Sequence, residues 1–290
     1  MNSGRLEGQV IAVSGAGSGI GAAVAKLAAA EGASVLLLGR RAEKLEQTRA
    51  DIGESAVVQQ CDVTVQEDID AAVVRALNEW GRVDGLVNNA GSFQMAHALL
   101  MTRSQWDETL AVDLSAAFFM SQAFGREMAR AGKGAIVNMA SVDGHAGEPL
   151  NAPYNSSKAG LIGLTRSLAM DLTPLGIRVN AVSPGYVSGT PMADDTADTE
   201  QSVGELLQNW QRVALRRMVS VEEVAQMTVF LLSDAAAGLT GSDVHDDGGL
   251  MSDIYALDSV EATGWKAFQN ETLDEVRKLL AEGSLRPAGA

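Results

Sequence analysis

Cysteine, histidine and aromatic residues are scarce in this chain of 290 residues. A single cysteine, Cys61, excludes an internal disulfide framework and suits a reducing compartment. As a lone residue, Cys61 reads as a small buried hydrophobe. His97, His145 and His245 stand far apart with no ligand spacing among them, so no metal site is expected. No apolar run approaches the ~18–20 residues that span a bilayer. The polar stretch from Met1 to Gln9 lacks the apolar core of a signal peptide, and a cytoplasmic location is expected. Positive charge is also in deficit, with 22 Lys and Arg against 37 Asp and Glu and a net charge of -15. A surface of that sign repels phosphate backbones and anionic lipid, which argues against nucleic acid or membrane as partner. It leaves open a phosphate held in a local pocket.

What the chain does contain is an alternation of short apolar runs with longer amphipathic stretches. Val10 to Val13, Ser34 to Leu38, Val57 to Gln60, Gly85 to Val87, Ala135 to Asn138 and Ile177 to Val182 are the short runs. Helical stretches lie between them at Ile20 to Glu31, Ala42 to Ile52, Gln66 to Trp80, Ser104 to Arg130 and Ser156 to Leu172. Continuous apolar strands alternating with helices predict an α/β fold, a parallel sheet covered on both faces. Ligands on such sheets lie at the carboxyl ends of the strands. One catalytic domain is expected over residues 1–251, with a lid at about 190–217. Residues 252–290 read as an extension containing a short helix, Leu273 to Glu282.

Ser14-Gly15-Ala16-Gly17-Ser18-Gly19-Ile20-Gly21 follows the first run and opens a helix. The pattern is G-x-x-x-G-x-G. Its glycines permit a tight turn and a close backbone approach to a pyrophosphate at the positive end of the helix. An NAD site commonly has a carboxylate about twenty residues further on; here the second run ends in Gly39-Arg40-Arg41. Guanidinium groups attract a 2′-phosphate that a carboxylate would repel, so NADP is favoured over NAD. Both arginines could equally solvate the next helix. Asp62, after the third run, could bond an adenine amine or cap a helix.

Three further groups fall where strands end: Asn88-Asn89-Ala90-Gly91, Ser141, and Tyr154-Asn155-Ser156-Ser157-Lys158. Tyr154 and Lys158 are one helical turn apart and can share a face. In this order, and with Pro184-Gly185-Tyr186-Val187 and Asp247-Gly248-Gly249 later on, the chain resembles the short-chain dehydrogenase/reductase family over roughly residues 5 to 250. The resemblance implies a Rossmann-type, doubly wound sheet of about seven strands. It further implies a hydride transfer between NAD(P) and a ketone or secondary alcohol, and a homodimer or homotetramer. By the same resemblance Tyr154 is the general acid/base, Ser141 holds the substrate oxygen and Lys158 bonds the nicotinamide ribose. Implied cofactor contacts are Gly15, Ser18, Gly19, Ile20, Gly21, Arg40, Arg41, Asp62, Val63, Asn89, Ala90, Gly91, Pro184, Gly185, Val187 and Thr190, besides Tyr154 and Lys158.

Those roles suit the chemistry. Free tyrosine has a pKa of ~10, too high for a base near neutrality. An ammonium at about 4 Å and an effective dielectric of ~20 would lower it by roughly three units. One position departs from the family pattern: Val112-Asp113-Leu114 stands where asparagine is usual. In the family that residue anchors a water that relays protons to the lysine. Aspartate can serve if its main-chain carbonyl does the anchoring; if its carboxylate pairs with Lys158, it cancels part of the lysine's effect. Candidate substrate contacts are Gln94, Asp143, His145, Tyr186 and Met192. Leu206, Leu207 and Trp210 in the lid suggest a substrate with an apolar or cyclic body. Two other outcomes fit the same motifs: a non-catalytic dinucleotide-binding scaffold or sensor, and an epimerase or dehydratase on this fold.

Overall fold

The computed structural model describes residues 4–190 and 213–252, together with positions 274, 278, 281 and 282. Seven parallel strands form one sheet in the order β3-β2-β1-β4-β5-β6-β9. They are β1 (Val10–Ser14), β2 (Ser34–Gly39), β3 (Ala56–Gln60), β4 (Gly85–Asn88), β5 (Gly134–Met139), β6 (Ile177–Pro184) and β9 (Asp243–Asp246). Every residue of β1, β4 and β5 is buried, which is why these segments read as unbroken apolar runs rather than alternating ones. The edge strands β3 and β9 are partly exposed and polar, which blunts edge-to-edge pairing.

Helices α1 (Gly19–Ala30), α2 (Ala42–Ile52) and α7 (Val221–Leu232) cover one face, where Val24, Leu45, Val224 and Val229 pack on Ile11, Val35, Leu37 and Val137. Helices α3 (Gln66–Trp80), α5 (Ala116–Ala131) and α6 (Ala152–Leu172) cover the other, where Ile69, Phe124 and Leu168 meet Leu36, Leu86 and Ile136. The strand order reverses between β1 and β4, so a crevice opens at the carboxyl ends of those strands.

Two features differ from the sequence expectation. The stretch from Ser104 to Arg130 is not one regular helix. It divides into α4 (Arg103–Leu110), a π-helical turn (Ala111–Ser115) and α5, and Asp113 lies in that turn. A short parallel ribbon, β7 (Val187–Ser188) with β8 (Val219–Ser220), closes the base of the expected lid. Met192, Leu206, Leu207 and Trp210 lie outside the described residues, as does most of the expected C-terminal helix. Within that helix Asp274, Lys278 and Ala281 are helical, and Glu282 N–H donates to the Lys278 carbonyl at 2.9 Å. Among the described residues no helix is long and apolar enough to cross a membrane.

Candidate active site

The loops at the carboxyl ends of β1, β2, β3, β4, β5 and β6 enclose one cleft of about 1220 Å³. Its floor begins at the glycine turn. Gly15 has φ +69°, and a Cβ there would lie 2.8 Å from Asn89 Nδ2. A Cβ on Gly21 would lie 2.3 Å from the Gly15 carbonyl oxygen. Both positions therefore require glycine, one for backbone conformation and one for helix-to-turn contact. Ser18 is the N-cap of α1, yet its side chain makes no capping bond, so the first amides of the helix are left for an anion.

The floor is tied to the next loop by a single hydroxyl. Ser14 Oγ donates to the Val87 carbonyl (3.2 Å) and accepts from the amides of Asn89 (2.9 Å) and Ala90 (3.0 Å). Asn89 Nδ2 donates to the Ser14 carbonyl at 3.0 Å. Beneath it, Asn88 donates to Asn138 Oδ1 at 2.8 Å, and Asn138 donates to Thr165 Oγ1 at 2.9 Å. This buried amide chain fixes β4 and β5 against α6.

At one end of the cleft stand Arg40, Arg41 and Lys44, with Asp62 and Val63 beside them. Arg41 Nη2 donates to Ser18 Oγ at 3.4 Å. Asp62 accepts from the amide (3.0 Å) and hydroxyl (2.7 Å) of Thr64, which hold its carboxyl below the usual range, with help from Arg40. Cys61 is buried, and its thiol is pushed up to about 12 by that burial and by Asp68 and Asp62.

At the other end Ser141, Tyr154 and Lys158 converge. Ser141 lies close enough to the Tyr154 hydroxyl to act on its acidity, and Ser141 Oγ accepts from the Asp143 amide at 3.1 Å. Lys158 Nζ donates to the Met139 carbonyl at 2.9 Å and lies 5.2 Å from the centroid of the Tyr154 ring. Asp113 is 2% exposed. Its Oδ1 accepts from the Ser92 amide at 2.6 Å, and its Oδ2 lies 3.8 Å from Lys158 Nζ. Burial raises the Asp113 pKa, opposed by Lys158.

The expected depression of the Tyr154 pKa by lysine is overturned. In the free chain the phenol is held above its usual range, first by burial and then by the charges of Asp113, Asp143 and Glu148. Ser141 acts the other way. Asp113 stands against the ammonium and offsets it, while Lys158 commits one N–H to a backbone carbonyl. Asp143 is itself pushed up to about 7 by burial and by the neighbouring Glu148.

Of the expected cofactor contacts, all but Gly21 line the cleft, and Gly21 supports it from below. Of the expected substrate contacts, Asp143 and Tyr186 line it. Gln94 instead donates to Glu108 Oε2 at 2.8 Å, and His145 turns toward β9, where its Nε2 lies 2.6 Å from Asp243 Oδ2. Met192 lies outside the described residues. Lining residues that the sequence reading missed include Lys44, Ser92, Phe93, Met95, Ala146, Glu148, Pro149, Met218, Leu250 and Met251. A signal existed for several: Phe93 and Met95 directly follow Asn88 to Gly91, and Glu148 lies in the loop that must span the site between Ser141 and Tyr154.

A doubly wound parallel sheet with a glycine turn, a cleft at its switch point and a Ser–Tyr–Lys cluster defines a dinucleotide-dependent oxidoreductase. Known proteins agree. A family model described as "Enoyl-(Acyl carrier protein) reductase" matches residues 15–251. D-threitol dehydrogenase of Mycolicibacterium smegmatis is 38% identical over 248 residues, covering 84% of this chain and 94% of that protein. The crystal structure of a putative short-chain alcohol dehydrogenase from Sinorhizobium meliloti superposes with a TM-score of 0.81 at 37% identity, covering 86% of this chain and 98% of that one. That of levodione reductase does so with a TM-score of 0.82 at 31% identity, covering 86% and 100%. The chain belongs to the short-chain dehydrogenase/reductase family. It is an NAD(P)-dependent oxidoreductase that acts on the CH–OH group of a small-molecule substrate.

Proposed function

We propose that this enzyme is an NADP-linked carbonyl reductase and alcohol dehydrogenase for neutral, hydroxyl-bearing substrates, with Tyr154 as its proton carrier. The carrying observation is the meeting of Tyr154, Ser141 and the Asp143–Glu148 carboxyl pair in one cleft.

The cleft fits a dinucleotide. The glycine turn is a cradle that a Cβ at Gly15 or Gly21 would fill, and Ser18 leaves amides for a pyrophosphate. Three cations, Arg40, Arg41 and Lys44, support a 2′-phosphate at the end of β2. Lys158 would hold the nicotinamide ribose, with Asn89, Ala90, Gly91, Pro184, Gly185, Val187 and Thr190 along the same wall. The nicotinamide supplies a hydride donor or acceptor when bound.

The chain's own residues then manage one proton. Ser141 Oγ donates to the substrate oxygen and fixes it beside the Tyr154 hydroxyl. In reduction Tyr154 gives its proton to that oxygen; in oxidation the phenolate takes the alcohol's proton. Because burial and three carboxylates raise its pKa, Tyr154 remains a phenol at neutral pH. It is thus poised to act as the acid in reduction.

The substrate end combines Phe93, Met95, Tyr186, Met218 and Leu250 with Asp143 and Glu148. Carboxyl groups accept hydrogen bonds from hydroxyls and repel carboxylate substrates. The D-threitol dehydrogenase relative is in keeping with such a substrate. The exposed Phe118 and Phe119 on α5 and Met170 on α6 support a homodimer or homotetramer built on these helices. A cytoplasmic enzyme accords with the single cysteine.

The test is a panel of polyols, cyclic ketones and keto acids run with each cofactor. Turnover of a neutral hydroxy-ketone or polyol with NADP(H), and none of keto acids, is expected. Tyr154→Phe should cut turnover about 10²–10⁴-fold with cofactor affinity unchanged. Equal turnover in that variant would remove Tyr154 from its role.

A further inference from the structure

Outside the cleft, two of the three histidines meet across the end of the sheet. His145 belongs to the turn after β5, and His245 with Asp243 belongs to the edge strand β9. A hundred residues of sequence separate the histidines, which is why their spacing gave no hint of a site. Parallel pairing of β9 on β6, with Ser183 beside His245, brings them together.

The geometry is that of a ligand set. His145 Nε2 lies 2.6 Å from Asp243 Oδ2 and 3.1 Å from His245 Nε2, and His245 Nε2 lies 3.9 Å from Asp243 Oδ2. A triangle with those sides has a circumscribed radius of about 2.0 Å, the length of a zinc bond to imidazole nitrogen or carboxylate oxygen. One cation just off that plane reaches all three atoms at bonding distance. The carboxylate is already oriented: Ser183 Oγ donates to Asp243 Oδ1 at 2.7 Å, leaving Oδ2 to face the two rings. Two imidazoles and a carboxylate form a borderline N/O donor set, suited to Zn²⁺ and unlike the all-oxygen sets that take Mg²⁺ or Ca²⁺. At that centre His245 Nε2 and Asp243 Oδ2 stand almost opposite each other; the His245 ring is partly open to water and can swing toward a tetrahedral position, with water as the fourth ligand. Among the described residues this is the single grouping of three such side chains.

We propose that His145, Asp243 and His245 form a Zn²⁺ site that fastens the turn following Ser141 to the edge of the sheet. Asp143 and Ala146, on either side of this turn, line the substrate end of the cleft, whereas the ligand atoms lie behind it. The metal is a structural clamp on the wall of the active site and takes no part in the reaction.

The test is calorimetric titration of ZnCl₂ into the tag-free full chain, with melting curves recorded in Zn²⁺ and in EDTA. The chain is a clean host, since its one remaining histidine is His97 and its one cysteine is buried. Expected are one Zn²⁺ per chain and a higher Tm with the metal. Affinity should fall about 100-fold in His145→Ala and in His245→Ala and about tenfold in Ser183→Ala. His97→Ala should bind as the parent does. Both cluster histidines are solvent-accessible, so their variants fold, and His245→Gln gives a milder second probe. A parent that takes up no stoichiometric Zn²⁺ overturns the proposal. So do His145→Ala and His245→Ala variants that bind as tightly as the parent, leaving the contacts as a hydrogen-bonded His–His–Asp chain only.

Discussion

At Asp113 the backbone amide of Ser92 takes one oxygen of a buried carboxylate and the ammonium of Lys158 faces the other. The negative charge favours the neutral phenol of Tyr154, so its removal lowers the tyrosine pKa. Asp113→Asn should move the rising limb of alcohol oxidation to lower pH, because the carboxylate's repulsion of the phenolate is lost. Rate profiles from pH 6 to 11 check this; an unmoved limb would show that the charge does not reach the phenol. Asp143 gives a stability prediction of definite sign. Its folded pKa of about 7 lies above the ordinary 3.8, so the folded chain holds a proton that the unfolded chain releases. Stability from this group is full below about pH 4 and declines as pH rises to about 7. The Tm advantage of Asp143→Asn over the parent should grow across that window, reach on the order of a few degrees, and stay level above it. At the cofactor end, Arg41→Ala should weaken NADP by about 10–100-fold while barely changing NAD. Equal losses for both dinucleotides would mean that Arg41 does not meet the 2′-phosphate. These residues were legible because their types stand at the ends of apolar runs. The depressed tyrosine was misjudged because a charge balance depends on distances between loops, which sequence does not carry: Glu148 and Asp143 act on Tyr154 only once the chain has turned back on itself.

Most strands and helices whose burial is governed by one period were readable to within a residue or two, but α6 begins four residues before the expected Ser156, and α7 and β9 were not among the expected elements. The runs Ala42–Ile52 and Gln66–Trp80 coincide with α2 and α3 because both are amphipathic and end at glycine. The π-helical turn left no trace in the pattern, since a single wide turn shifts the phase of a helix without breaking its hydrophobicity. The β7–β8 ribbon was equally hidden, because two residues per strand are too few to show a period. Conversely, the glycine turn was legible because its backbone demands are absolute. Gly15→Ala should cost about 1–3 kcal/mol in stability from left-handed strain alone, and should also weaken cofactor binding by pushing Asn89 aside. Denaturant titration and fluorescence titration with NADPH read the two effects separately. A variant with parental stability and affinity would show that the turn tolerates a side chain.

Over the whole molecule, a net charge of -15 coexists with a cationic corner formed by Arg40, Arg41 and Lys44. An anionic cofactor is attracted locally while the acidic exterior discourages binding to nucleic acids. The fold class and the strand-end placement of the cleft followed from the alternation of elements. The tail beyond Ser252 did not, because the strand pattern in the sequence stops after Gly249. Phe118 and Phe119 pack edge to face on the outer side of α5. Phe119→Asp places a charge where the proposed subunit contact buries an aromatic ring, and should shift the assembly toward monomer in sedimentation experiments. An unchanged mass would place the contact elsewhere.

The Ser14 hydroxyl, by gripping three backbone groups of the neighbouring strand end, makes two loops behave as one block. Novelty in this scaffold is therefore cheapest in the side chains that line the substrate end, among Phe93, Met95, Tyr186 and Met218. A breeder of new catalysts would leave the plinth untouched and recarve only the canopy above it.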